Sequence, residues 1–196
     1  MKRDRLILSL FALSFVAFAF LIMLGLKRVE AASEGMPTPN YAILLSNDFC
    51  NDWTAAKLVQ MGQVATLFDD VAYFKAMQSL WQGPLEVHNW SYPPSILMLL
   101  RPLALFSPVQ ALVVWSFAGL LFYYVTLRLA PVRLPGLWRV LVLASPASLV
   151  NLVHGQTGFF TASFFLGGLY LLKRQPALSG VAFGLLTLKP HLGFLL

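Results

Sequence analysis

The sequence is poor in charge, and its second half is poorest in negative charge. Charged residues make up 11% of the 196 residues, and no aspartate or glutamate follows Glu86. The single cysteine, Cys50, excludes an internal disulfide and a metal site built from cysteines. The sequence contains no glycine-rich phosphate loop, nucleophile elbow or His-Glu-x-x-His zinc motif, so it does not indicate the enzyme classes that depend on them.

Apolar residues dominate the composition. They make up 58% of the chain, and the mean hydropathy of +0.72 lies far above the range of soluble globular proteins. The sequence therefore predicts an integral membrane protein embedded in a lipid bilayer. The net charge of +6 does not indicate nucleic-acid binding, because the cations lie in short connections between apolar runs, as they do on the cytoplasmic side of membrane proteins.

The apolar runs predict an all-α polytopic membrane protein of about five transmembrane helices, with additional external helices. Residues 6–26 have the length of a spanning helix of about 20 residues, and the basic residues before them favour a cytoplasmic N-terminus. A cleaved signal peptide is the alternative, but the run is long for one. Residues 27–92 then form a long external loop. The further spans are expected at 109–127, 140–153, 157–172 and 177–193.

The segment 93–108 is either a re-entrant segment or a short transmembrane helix. Its apolar run of about a dozen residues is short for a crossing, and Arg101-Pro102 interrupts it. We favour the re-entrant alternative, because a full crossing would invert the later loops and put their cations outside the cell. The chain ends in an apolar run, so we expect residues 1–196 to be a single, truncated transmembrane domain.

Two local patterns predict how helices contact their surroundings. Gly180 and Gly184, four residues apart, predict a close contact between two helices. In the external loop, residues 53–61 and 71–81 predict two short amphipathic helices that lie on the membrane surface. The aromatic residues expected to dip into the interface there are Trp53, Phe68, Tyr73, Phe74 and Trp81.

Polar side chains from distant parts of the chain are expected to meet at the external face. Asp48 and Asp52 are four residues apart, so on a helix they share one face, where paired carboxylates serve proton transfer or cation binding. The alternative is capping of the helix by Ser46, Asn47 or Asp48, which the local sequence alone favours. Lys189 lies in an apolar run, where a cation either marks a cavity or snorkels to the interface. The same topology brings to this face His88, Arg101, His154, Gln156 and His191.

Several short motifs follow one another along the chain. They are Asn47-Asp48-Phe49, Tyr92-Pro93-Pro94, His154-Gly155-Gln156, and Gly180-x-x-x-Gly184 followed by Lys189-Pro190. Taken together, they resemble glycosyltransferase family 87, whose members are polytopic enzymes of the GT-C superfamily. The type members are α-1,2-mannosyltransferases that depend on polyprenol-phosphate-mannose. The resemblance covers nearly the whole chain, but only the N-terminal half of a typical member.

The resemblance implies the transfer of a hexose, with mannose as the family's example. The donor would be a polyprenyl-phosphate sugar and the acceptor a hydroxyl of a glycolipid or glycan, at the external (periplasmic) face of the cytoplasmic, or inner, membrane. The resemblance also implies that Asp48 is the catalytic base that takes the acceptor proton. Asp52 stays the alternative, because Asp52-Trp53 stands where the family more commonly has an aromatic pair.

The supporting roles follow from chemistry and placement. Lys189 and Arg101 are the candidates to bind the donor phosphate, because the leaving group gains negative charge. The candidates for substrate binding are His88, Tyr92, His154, Gln156 and His191. The scattered histidines favour cavity lining over a metal site, although the aspartates leave a divalent cation possible. The alternative functions are a transporter or flippase-like protein and an inactive, truncated remnant of such an enzyme.

Overall fold

The computed structural model describes residues 46–81, 89–131 and 141–189, and five helical positions, 9, 12, 16, 23 and 27, nearer the N-terminus. Within these residues all regular structure is helical, and no strand occurs. We number the α-helices in chain order. They are α1 (Ser46–Gln60), α2 (Asp70–Trp81), α3 (Ile96–Leu100), α4 (Pro108–Leu129), α5 (Pro146–His154), α6 (Gly158–Leu171) and α7 (Pro176–Leu185). Short 3-10 segments cover Val64–Phe68, Arg101–Leu105 and Leu186–Leu188.

Helix α4 is the only described helix that is long and apolar enough to cross a membrane. It begins with Pro108, a residue that the first turn of a helix tolerates, and a capping box joins Ser107, the residue before the helix, to Gln110 in its first turn. Its 22 residues extend about 33 Å, which matches the hydrocarbon thickness of a bilayer. The sequence predicted a span at 109–127, and α4 agrees with that prediction.

The expected total of about five spans is not reached by the described residues. The shorter apolar helices cover Ile96–Leu105, Gly158–Leu171 and Pro176–Leu188. The 14 residues of α6 extend about 21 Å, less than the roughly 30 Å of a hydrocarbon core. The expected span at 6–26 lies almost entirely outside the described residues, so it stays a prediction.

Helices α4, α6 and α7 form a layer whose chain directions can be read from their contacts. Phe122 of α4 packs on Phe160 and Phe164 of α6, with ring centroids 6.3 and 5.5 Å apart, and Gly119 lies against Phe159 and Phe160. Earlier residues of α4 therefore meet earlier residues of α6, so the two helices run in the same direction. Helix α7 runs back along α6, as shown by the contacts of Ser179 with Gly168 and of Phe183 with Phe165.

The glycines that bring α6 and α7 together are not those that the sequence indicated. Ser179 Oγ donates to the Gly168 carbonyl over 2.8 Å, and a Cβ on Gly168 would lie 2.8 Å from the Phe183 ring. Gly180 and Gly184 are exposed, and a Cβ on either would meet no described atom within 4 Å. The prediction of a close contact through Gly180 and Gly184 is therefore wrong for the described residues, because these glycines point away from α6.

Helix α1 is the centre of the core rather than a helix lying on a surface. Residues 49–56 are all buried, so this part of α1 has no solvent-facing side. Its sequence therefore does not alternate between an apolar and a polar face at helical spacing. Trp53 is 6% exposed and its indole N–H donates to the Phe106 carbonyl, while Tyr73 of α2 is fully buried and its hydroxyl donates to Asn51. The prediction that Trp53 and Tyr73 dip into the interface is therefore wrong. Phe68, in contrast, is 59% exposed.

Candidate active site

The two candidate carboxylates project from the first two turns of α1. Asp48 lies in the first turn, where the positive end of the helix dipole favours a negative charge, and it is exposed. Asp52 follows one turn later and is only 2% exposed. The residue spacing of four puts both on one side of the helix, as predicted, but only Asp48 is open to solvent.

Asp48 is tied to the turn between α5 and α6. The Gln156 side-chain amide donates to Asp48 Oδ2 over 2.6 Å, joining residues 108 positions apart in the chain. A hydrogen bond to a carboxylate is charge-assisted and holds the acceptor in one orientation. The structure thus brings together two residues that the sequence placed at the same face.

The turn that carries Gln156 is rigidly held. Gly155 ends α5 in the left-handed conformation, with φ of 60°, and its carbonyl accepts the Trp115 indole N–H over 2.8 Å. A Cβ at Gly155 would lie 2.6 Å from side-chain atoms of both Leu112 and Phe49. Both the left-handed backbone conformation and the close packing therefore require a glycine at position 155.

Asp52 is a buried carboxyl group with an unsatisfied oxygen. Its Oδ1 has no hydrogen-bond partner among the described residues. Burial raises the pKa of Asp52 to about 8, even though the charge of Lys189 lowers it, and the charge of Asp48 raises it further. At neutral pH Asp52 is accordingly a neutral acid.

Lys189 reaches the same place from the other end of the chain. It is half-buried and follows the 3-10 segment Leu186–Leu188, where its backbone N–H donates to the Leu186 carbonyl. Because α7 runs back along α6, residue 189 returns to the end of α6 at which Gln156 lies. Its charge acts on Asp52, so α1, the α5–α6 turn and the end of α7 contribute to one site.

Tyr92 lies within the electrostatic reach of both carboxylates. Burial first, and then the charges of Asp52 and Asp48, raise the pKa of Tyr92 to about 12, so its hydroxyl stays protonated. Its ring packs on Trp90 with the centroids 5.2 Å apart. Tyr73 is a neighbour that sequence reasoning missed: burial and the charge of Asp52 raise its pKa. No local signal distinguishes Tyr73 from other aromatic residues of the loop.

The remaining predicted site residues divide into two that the structure describes and two that lie outside the described residues. Arg101 is exposed at the start of the 3-10 segment Arg101–Leu105, and no hydrogen bond in the described part of the chain joins it to Asp48 or Gln156. His154 is half-buried and ends α5, two residues before Gln156. His88 and His191 lie outside the described residues, so their roles stay predictions.

The arrangement suits acid–base chemistry with an anionic substrate better than covalent catalysis by cysteine. Burial raises the pKa of Cys50 to about 12, which keeps the thiol protonated and unreactive. Within residues 46–81, 89–131 and 141–189, no group of three or more His, Cys, Asp or Glu side chains is placed to hold a metal ion. The site instead offers a solvent-facing carboxylate, an amide donor and an ammonium group.

Comparison with known proteins assigns the family. The model of the family described as glycosyltransferase family 87 matches residues 90–196, which are 107 of the 196 residues. The chain belongs to glycosyltransferase family 87. No curated protein and no solved structure matches the chain.

The family match covers only part of the site. Tyr92, Gln156 and Lys189 lie within the matched residues, whereas Asp48 and Asp52 precede them. The contact of 2.6 Å between Gln156 and Asp48 is therefore the direct link between the glycosyltransferase segment and the carboxylates of α1. The family supports a glycosyltransferase that uses a sugar donor and an acceptor.

Proposed function

We propose that this glycosyltransferase moves a hexose, with mannose as the first candidate, from a polyprenyl-phosphate sugar to an acceptor hydroxyl. The acceptor is a glycolipid or glycan at the external face of the cytoplasmic membrane. The family assignment and the resemblance of the motifs support the reaction class. The observation on which the proposal depends is the hydrogen bond from Gln156 to Asp48, since it joins the family's segment to a candidate base.

Asp48, rather than Asp52, is the proposed general base. A base must be ionised and must reach the hydroxyl whose proton it takes. Asp48 is exposed and accepts a hydrogen bond, whereas Asp52 is buried and protonated at neutral pH. The difference in burial between two adjacent turns therefore supports Asp48 over Asp52 as the base, a choice that residue spacing alone does not allow.

The proposed reaction balances within these groups. The acceptor oxygen attacks the anomeric carbon and forms the new glycosidic bond while its proton passes to the Asp48 carboxylate. The bond between the anomeric carbon and the phosphate oxygen breaks, and its electron pair stays on the polyprenyl phosphate. We assign to Lys189 the stabilisation of the negative charge that the leaving phosphate gains, because its charge already acts on Asp52 beside the proposed base. Arg101 remains a second candidate for that role.

The distribution of cations supports the proposed orientation in the membrane. Lys173 and Arg174 follow the end of α6, about 21 Å from the turn with Gln156. Arg128 lies in the last turn of α4, and α4 and α6 run in the same direction. The three cations therefore lie at the end of the helical layer opposite the site, as expected if that end is cytoplasmic.

A transfer assay tests the proposal. Membranes that contain the chain are incubated with radiolabelled polyprenyl-phosphate-mannose and a glycolipid acceptor, and the labelled product is extracted. We expect Asp48→Asn to lose transfer by at least a hundredfold, the lower range for general-base catalysis. Asp70→Asn, the same change at an exposed carboxylate at the start of α2, serves as the control and should keep the wild-type rate.

The same assay distinguishes the alternatives. Unchanged transfer by Asp48→Asn would remove the assignment of the base. Parallel reactions with polyprenyl-phosphate-glucose and polyprenyl-phosphate-galactose test the choice of mannose. Absence of transfer from all three donors by the wild-type chain would overturn the proposed activity, and movement of the intact donor between leaflets would then favour a flippase.

A further inference from the structure

Asp52 has a property that general-base catalysis by Asp48 does not explain. It is almost completely buried, and its Oδ1 has no hydrogen-bond partner among the described residues. A polar group left unsatisfied in the interior is costly, and an ionised carboxylate is costlier still. Asp52 is nevertheless one helical turn from Asp48 and within the electrostatic reach of Lys189. A hydrophobic residue would fill this position at lower cost if packing were its only role.

The surroundings decide which charge state Asp52 adopts. Its own helix contributes Asp48, the buried Cys50 and Lys57, and the charge of Lys189 is the attraction that lowers its pKa. That attraction does not compensate for burial, so the pKa of Asp52 rises to about 8. The titratable and charged groups on the segments around it include Tyr73, Tyr92, Arg101, His154 and Lys189, and farther along the same helices Asp70, Lys75, Tyr123, Tyr124 and Arg128.

We propose that Asp52 is a positioning residue that stays a neutral acid during transfer and thereby leaves the charge of Lys189 available to the donor phosphate. This inference rests on the proposed function, because it assumes an anionic donor. Asp52 neither gives nor takes a proton in the reaction. Its role is to occupy a buried position one helical turn from Asp48, within the electrostatic reach of Lys189, without adding a second negative charge.

The electrostatic consequence has a definite sign. With Asp52 neutral, the site holds one carboxylate charge on Asp48 and one ammonium charge on Lys189, and a phosphodiester adds a single negative charge. Ionised Asp52 would pair electrostatically with Lys189 and repel both Asp48 and the phosphate. Donor binding should therefore weaken as the pH rises through about 8.

The first test observes the proton itself. Infrared spectra of the purified chain in detergent micelles are recorded for wild type, Asp52→Asn and Asp48→Asn. We expect a carboxylic-acid C=O band at neutral pH in wild type and in Asp48→Asn, and its absence in Asp52→Asn. The band should disappear in wild type as the pH rises through about 8. Its absence from wild type at neutral pH, or its persistence in Asp52→Asn, would overturn the proposal.

The second test measures binding without turnover. The probe is methyl farnesyl phosphate, a phosphodiester whose single charge is constant over the range used. Wild-type affinity should fall roughly tenfold between neutral pH and about pH 9.5, which corresponds to one added charge a few ångströms from the ligand in a partly buried site. Asp52→Asn, which is nearly isosteric with the neutral acid, should lack that alkaline loss, and Lys189→Gln should bind weakly at both pH values.

These outcomes remain distinguishable from those of the transfer assay. Failure of wild type to transfer sugar would refute the proposed activity, while the infrared and binding results would still report on Asp52. An equal alkaline loss of binding in Asp52→Asn would refute the role of Asp52 even if transfer occurs. If Asp52→Asn does not fold, the infrared titration of wild type decides alone, with Asp48→Asn as the comparison.

Discussion

At the scale of single residues, the site depends on the difference between two chemically identical side chains. Asp48 and Asp52 share a helix and a face, but one is exposed and hydrogen-bonded while the other is buried with an unsatisfied oxygen. The sequence predicted both residues and their common face. The sequence could not predict which of the two carboxylates would be buried. The burial depends on α2, on the segment around Tyr92 and on Lys189, and all three are distant from α1 in the chain.

The contact between Gln156 and Asp48 leads to a prediction about catalysis. A hydrogen bond to a charged group contributes about 1.5–3 kcal/mol, so Gln156→Ala should lower the rate of transfer roughly tenfold or more. Gln156→Glu should lower it further, because two carboxylates would then lie within hydrogen-bond distance of each other. The measurement is initial rate at saturating donor, with exposed Gln63→Ala as the control. Wild-type rates in both Gln156 variants would show that this amide does not position the base.

At the scale of helices and turns, two elements differ from what their sequences indicated. Helix α1 begins at Ser46, among the candidate capping residues but ahead of the amphipathic stretch expected at 53–61. Its residues 49–56 are all buried, so a search for an amphipathic stripe cannot find its extent. The α6–α7 contact uses Gly168 instead of Gly180 and Gly184. A spacing of four identifies small residues on one face, but which face meets a neighbour depends on the rotation of the helix.

Gly155 offers a test of the turn that carries Gln156. An alanine in the left-handed conformation costs about 1–2 kcal/mol, and the Cβ would also lie 2.6 Å from atoms of Leu112 and Phe49. Gly155→Ala should therefore lower the thermal midpoint more than Gly62→Ala does. Gly62 has a similar φ of 73° but meets nothing within 4 Å, so it isolates the conformational cost. Equal losses of stability in the two variants would contradict the packing role of Gly155.

The α6–α7 contact provides a second comparison of glycines. Gly168→Ala would bring a Cβ within 2.8 Å of the Phe183 ring, and such overpacking costs about 1–3 kcal/mol. Gly180→Ala meets open space and should stabilise α7 by up to about 1 kcal/mol, because alanine favours a helix. Thermal unfolding in micelles should therefore shift in opposite directions. Destabilisation by Gly180→Ala would show that this face is covered in the membrane-bound chain.

At the scale of the whole molecule, the candidate site and a group of cations lie at opposite ends of the helical layer. Asp48, Gln156 and Lys189 meet at one end, and the cations Arg128, Lys173 and Arg174 lie at the other. The charge bias in the sequence predicts that the two groups lie on opposite sides of a membrane, and that orientation stays a prediction. The number of spans was less predictable, because α6 and α7 are shorter than the apolar runs that contain them.

The orientation in the membrane can be measured by cysteine labelling. Lys75→Cys places a thiol at an exposed position of α2, and Lys173→Cys places one after α6. A membrane-impermeant maleimide should label the first in intact cells and the second only after permeabilisation. The native Cys50 is fully buried, so the wild-type chain is the unlabelled control. Labelling of Lys173→Cys in intact cells would reverse the proposed orientation.

The indole of Trp115 has a consequence for the environment in which the enzyme works. It joins the one described helix of membrane-spanning length to the carbonyl of Gly155, next to the amide that orients Asp48. A bilayer that is too thin or too thick forces such a helix to tilt. We therefore expect lipid chain length to act mechanically on the proposed site, in part through this ring.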